Sequence, residues 1–265
     1  MKFIIRDDDL NFYTEISAIK KTYSFCIKNS IPVSFAAIPF VNSDSDVAHS
    51  VDKMNIIRCI SRNNELCQYI NENDFFYINL HGSLHNKPNG IFECDDAISN
   101  SLIYSRLRRA DAILKSTFKN YKPVFIPPHD ALGDRSRFAI SKLSLHTIKG
   151  SGSKYLNLKS FKDVYAFICS CCFGLNRFVT GNRNDVYPRV LSWDHGQEAY
   201  AYRLTDFNRN FLIKKLHISA KKNRDFIVTM HIHHNTDARI SSLIEFINLA
   251  DKYGYEFTDS SKIFQ

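Results

Sequence analysis

Residues 3–12 read FIIRDDDLNF. Phe3 to Ile5 have the apolar character of a buried strand, and three carboxylates, Asp7, Asp8 and Asp9, follow at once. Placing that much negative charge at the end of a core element is costly unless something positive sits beside it. Adjacent side chains of an extended segment point to opposite sides, so at most two of the three aspartates share one site. The stretch therefore predicts a strand whose carboxyl end carries a site with a cation in it.

Outward from this strand, short β-rich runs alternate with longer segments of helical periodicity, the pattern of a parallel sheet with crossover helices. Strands are predicted at 2–6, 33–38, 75–80, 124–126, 145–149, 189–193 and 226–231. Helices are predicted at 13–29, 51–71, 95–120, 135–143, 206–222 and 238–253. The stretch 150–187 is turn-rich around an apolar run, VYAFICSCCFGL, and resists assignment. No repeat or linker marks a second domain, so residues 1–265 read as one α/β domain. The polar motifs RDDD, INLHGSLH, FIPPHD, LSWDHG and VTMHIHH each fall at the carboxyl end of a predicted strand, where α/β folds assemble their sites.

A 265-residue chain that is 44% hydrophobic has ample material for a core. The formal charge of +8 arises from scattered lysines and arginines. The clusters RLRRA (106–110) and IKKLHISAKKNR (213–224) fall in amphipathic helices, so they read as solvated faces and no nucleic-acid partner is expected. The seven cysteines are odd in number and lack paired spacing. Cys169, Cys171 and Cys172 lie in the apolar run and read as packed free thiols, which fits a reducing compartment. No apolar run approaches the roughly 20 residues of a membrane span, and the expectation is a cytoplasmic protein without stable membrane insertion.

His81 and His85, four apart in LHGSLH, can turn both imidazoles to one point. With an aspartate from the neighbouring strand end they complete an Asp-His-His set suited to Zn²⁺, with Mn²⁺, Co²⁺ or Ni²⁺ as alternatives. Three protein ligands leave open positions, the mark of a catalytic site. Trp193, Asp194 and His195 of SWDHG read equally as pocket lining or as a packed Trp before a loop.

An Asp-Asp near the amino terminus, H-x-x-x-H, a Pro-Pro segment and a late strand ending in His resemble, in that order, the polysaccharide deacetylase superfamily, the NodB-homology domain of carbohydrate esterase family 4. The resemblance implies a distorted (β/α) barrel of about seven parallel strands. It implies Asp8 as general base, with Asp9, His81 and His85 as metal ligands, although a register using Asp7 and Asp8 stays open. It also implies His231 as the acid that protonates the leaving amine, with His233, read as lying on the same strand face, in reserve. Pro127, Pro128, His129 and Asp130 would line the substrate groove, with Trp193 beside it. Ile126 departs from the pattern, standing where the family often has an arginine that orients the catalytic aspartate. Arg6 is a candidate for that orienting task but, as an adjacent strand residue, is expected to point elsewhere.

The implied activity is metal-dependent removal of an N-acyl group, acetyl foremost, from an amino sugar or sugar-containing precursor in surface-polysaccharide metabolism. The alternatives are a deformylase of an amino sugar, an inactive binding member of the same fold, and a 2-His-1-carboxylate Fe(II) oxygenase, whose usual all-β scaffold does not suit this pattern.

Overall fold

The computed structural model describes residues 1–48, 55–86, 90–150, 158, 160–179 and 190–265. Strand β1 (Lys2–Leu10) leads into α1 (Ile16–Lys28) and β2 (Val33–Ala37), followed by a small hairpin, β3 (Phe40–Asn42) and β4 (Ile57–Cys59). Next come α2 (Asn64–Glu72), β5 (Phe76–Leu80), α3 (Asn100–Thr117), β6 (Tyr121–Phe125), α4 (Asp134–Lys142) and β7 (His146–Lys149). The chain continues through α5 (Phe161–Val179), β8 (Leu191–Trp193), β9 (Gly196–Tyr200), β10 (Tyr202–Arg203) and α6 (Arg209–Lys221). It ends with β11 (Phe226–His231), α7 (Asp237–Lys252) and β12 (Glu256–Phe257).

Parallel pairing runs in the order β11-β1-β2-β5-β6-β7-β9. Strands β9 and β10 are one extended stretch broken only at Ala201, whose N–H donates to Lys149 O at 2.9 Å on the β7 side. Just beyond, β10 pairs in parallel with β11, so the sheet returns to its start. Counting β9 and β10 together, seven parallel strand positions surround the axis. The antiparallel strand β8 holds the other edge of β9. The barrel thus closes at its carboxyl rim and is distorted below it.

Side-chain alternation decides what each face does. Phe3 and Ile5 belong to the large core between sheet and helices, while Ile4 points inward with Ala36, Val124, Ile126, Ile148 and Ile227. Aromatic contacts lock β1 in place. Phe3 stacks on Phe226 with centroids 5.8 Å apart and meets Tyr255 and Phe257 edge-on. Burial of such a side chain contributes about 1.5–3 kcal/mol.

Several sequence expectations need correction. Part of the segment expected as a helix over 51–71 lies outside the described residues, and Ile57–Cys59 is a strand, with the helix starting only at Asn64, capped by Asn63. Helix α3 starts at Asn100 and not at 95, because Asp95 instead accepts from Ala97 N in a turn. The unassigned apolar run is helix α5. Cys171 is exposed on it and not packed, Cys169 is half-buried, and the Cys172 side chain lies outside the described residues. Among the described residues, no helix is long and apolar enough to cross a membrane.

Candidate active site

Between Asp7 and Leu10, β1 advances three residues while β2 advances two, from Phe35 to Ala37. This is a β-bulge, and Asp9 takes a φ of 74° within it. The extra residue cancels the alternation at one step. Asp8 and Asp9 therefore both line a cavity of about 500 Å³ at the carboxyl rim. Asp7 turns the other way, beneath α1, where it accepts from the Tyr23 hydroxyl and from Ile232 N at 2.9 Å. Burial pushes its carboxyl up to about 8. It acts as a neutral-leaning clamp between β1 and the turn after β11.

The histidine pair follows β5. Gly82 adopts a φ of 67°, and a Cβ there would lie 1.7 Å from Glu93 Oε1. The turn is wound on that buried carboxylate, which accepts from the N–H groups of Ser83, Leu84 and His85 at 2.7, 2.8 and 3.1 Å. Burial raises the Glu93 pKa even though the three N–H groups oppose it. His81 Nδ1 donates to Ile126 O at 2.9 Å, which turns Nε2 toward Asp9 Oδ1, 3.2 Å away. His85 Nε2 lies 3.4 Å from the same oxygen. One ligand atom from each of Asp9, His81 and His85 falls within 4.8 Å of the other two. A carboxylate oxygen and two imidazole nitrogens converging on one point can serve as the donor set of a cation, and Asp, His and His suit a borderline divalent ion.

Electrostatics agree with that geometry. Burial would raise the Asp9 carboxyl, but the His81 hydrogen bond and the surrounding imidazoles hold it far below the usual range. Burial works to lower His81, but its hydrogen bond with Asp9 and the charges of Asp8 and Asp9 leave it raised. His85 is brought down to about 4, chiefly by burial, so it is neutral at pH 7 and ready to ligate.

Arg6 departs from expectation. Two residues before Asp8 on one strand, it shares that residue's face, and its guanidinium meets Asp8 Oδ2 at 2.7 Å and Ile148 O at 3.2 Å. Ile126, at the sequence position of the missing arginine, is a fully buried member of the barrel interior. The guanidinium beside Asp8 thus comes from β1 itself. His231 stands beside Asp8 in the β1–β11 register and lines the cavity, and burial lowers its pKa.

Pro127, His129 and Asp130 line the cavity, with the His129 ring 4.3 Å from that of His85. Pro128 instead packs under the turn at Gly82. His233 is not on the strand face expected for it. The strand stops at His231 and a 3-10 turn follows, which carries His233 to Thr14 at 3.4 Å and brings His234 to the cavity rim. Trp193 does not reach the cavity either. Because β8 is antiparallel to β9, LSWDHG lies away from the carboxyl rim, and Trp193 packs with Ala166, Leu191 and Tyr200. Glu93 and the rim residue Asp46 complete the site without having been anticipated, and Arg6 joins it although it was expected to point elsewhere. Period-two alternation would have placed Arg6, whereas no local spacing signals Glu93.

No family model and no curated protein matches this sequence. Solved structures do match. A protein from Mycobacterium smegmatis assigned as a polysaccharide deacetylase aligns with a TM-score of 0.60 at 11% identity, over 99% of this chain and 88% of its own. A family 4 acetyl xylan esterase from Clostridium thermocellum, solved with a cobalt ion, aligns at 0.54 and 10% identity, over 100% and 90% of the two chains. A family 4 pseudoenzyme from Bacillus anthracis aligns at 0.53 and 11% identity over 98% of this chain, which spans 65% of that protein. With seven parallel strands closed at the rim and these three likenesses over nearly its whole length, the chain has the fold of the family 4 carbohydrate esterases, the NodB-type polysaccharide deacetylases.

Proposed function

We propose that this protein is a metal-dependent hydrolase that removes an N-acyl group, acetyl foremost, from an amino sugar. One observation carries the reading: the ligand atoms of Asp9, His81 and His85 converge in the same cavity that presents Asp8 and His231. Asp9, His81 and His85 would hold the divalent ion, with Zn²⁺ first and Co²⁺, Ni²⁺ or Mn²⁺ able to replace it. Once bound, the ion supplies Lewis acidity, making water acidic and polarising the acyl carbonyl.

Asp8 takes the proton from the attacking water, while Arg6 fixes its carboxylate through Oδ2 and leaves Oδ1 buried without a partner. His231 delivers a proton to the nitrogen as the C–N bond breaks, so that a carboxylate and an amine leave. The walls from Pro127 to Asp130 would flank the sugar. The six cysteines among the described residues are free thiols, which supports a cytoplasmic address and a sugar precursor as the substrate.

The test incubates the protein with N-acetyl and N-formyl amino sugars and measures released acid and amine, before and after chelation and after Zn²⁺ is restored. The expected result is release that stops with chelator and returns with metal. Release indifferent to chelator would overturn the metal-dependent mechanism. No release from protein shown to contain its metal would point to an inactive binding member of the fold.

A further inference from the structure

Below the level of Asp8 and His231, three neighbouring strands carry one polar row. In the parallel register, Arg203 of β10 sits beside Thr229 of β11, and Thr229 sits beside Arg6 of β1. All three line the cavity. Two residues further in, the same strands present Ala201, Ile227 and Ile4, which are interior apolar side chains. The row is therefore the first polar layer above the barrel's apolar floor.

This layer has unused hydrogen-bonding capacity. Thr229 is 2% exposed, and its Oγ1 is buried without a partner, as is Arg6 Nε. The Arg203 side chain is exposed toward the cavity, and among the described residues no carboxylate pairs with it. A hydroxyl and a guanidinium on strands about 4.8 Å apart are spaced to receive two oxygens of one anion. Arg203 also borders a second groove shared with His234, Asn235 and Thr236. Arg239 in that groove is already committed to Asp206 at 2.8 Å. Asp46 and Asp130 line the cavity as well, so an anion is drawn toward Arg203 and away from them.

We propose that Arg203 and Thr229 form an oxyanion subsite, and that the N-acylated sugar taken by this cavity carries a carboxylate or a phosphate. The proposal rests on the deacetylase reading for the sugar and on the strand register for the subsite. The test compares N-acetylglucosamine, its 6-phosphate and N-acetylmuramic acid, a neutral, a phosphorylated and a carboxylated sugar. Each is measured for turnover and, by calorimetry, for binding to the wild-type, Arg203→Gln and Thr229→Val proteins.

Charge-assisted hydrogen bonds of this kind predict that one charged sugar exceeds the neutral one by about 10- to 100-fold in kcat/KM. In Arg203→Gln that preference collapses toward one through KM, and Thr229→Val lowers it partway. Whichever charged sugar is favoured identifies the oxyanion. Equal treatment of all three by the wild type, or a preference surviving in Arg203→Gln, overturns the subsite. If charged sugars bind through Arg203 and none is hydrolysed, the subsite stands and the deacetylase reading falls.

Discussion

Two buried charge clusters flank this sheet and are built in opposite ways. On the outer face of β9, Glu198 is fully buried and accepts from Arg137 of α4 and from His195. Burial would raise its carboxyl, but the His195 hydrogen bond and the Arg137 and Lys149 charges hold it at about 2. Inside the rim, Asp8 meets the Arg6 guanidinium, while Asp9 faces His81 and His85. Asp8 Oδ1 and His85 Nδ1 remain buried without partners. In the outer cluster acid meets base and the charges serve the fold. In the inner cluster a carboxylate and two imidazoles converge within reach of one ion, which makes it the candidate for binding. What distinguishes the two is therefore the balance of groups: in the outer cluster one carboxylate faces Arg137, Lys149 and His195, whereas in the inner one the ligand atoms of Asp9, His81 and His85 converge beside a second carboxylate, Asp8.

The largest effect is expected where the outer cluster is broken. Glu198→Gln leaves the Arg137 guanidinium buried without its anion, which costs about 3–5 kcal/mol in denaturant unfolding, with metal content unchanged. The pH dependence has a definite sign. The folded Glu198 carboxyl lies near 2, below the usual 4.5, so its stabilisation is fully present above pH 4.5 and is lost as pH falls through 2. The variant should show a flatter loss of stability across that window. Unchanged unfolding would remove the distinction between the clusters.

Asp8→Asn addresses the inner cluster. Turnover should fall roughly 10²-fold or more with metal retained, because proton transfer is lost while the ligands stay. Full activity there, with Asp7→Asn inactive, would move the catalytic pair one residue earlier. His231→Ala should slow amide cleavage more than cleavage of an activated ester whose leaving group needs no proton, and equal losses would remove its acid role. Glu93→Gln sharpens the account of the histidine turn. Loss of the anion that gathers three N–H groups should weaken metal binding about 10-fold or more in a chelator competition, and unchanged affinity would leave Glu93 without a positioning role.

Much of this was legible in the sequence, for reasons that also mark where legibility ended. Strand β1 and a carboxylate meeting His81 and His85 at its end followed from an apolar run ending in charge and from the four-residue spacing, while the choice of Asp8 and Asp9 came from the family resemblance. The rule that adjacent aspartates diverge was sound, but a bulge suspended it at Asp9, and no local residue pattern announces a bulge. Arg6 was legible and misjudged, since residues two apart on a strand share a face. LSWDHG misled because Asp194 and His195 form the turn of a β8–β9 hairpin, which reverses the direction of the strand end. His233 misled because the strand gives way to a turn after His231. Glu93 depends on a contact across the Gly82 turn, which only the folded chain reveals.

The proposed chemistry requires Asp9, His81 and His85 to hold one divalent ion. Elemental analysis of the purified protein, beside His81→Ala and His85→Ala proteins shown by circular dichroism to be folded, tests it most directly. About one equivalent of metal is expected in the wild type, Zn²⁺ foremost, and close to none in either variant. Stoichiometric metal in folded variants, or a wild type that takes up none when Zn²⁺ is supplied, would contradict it.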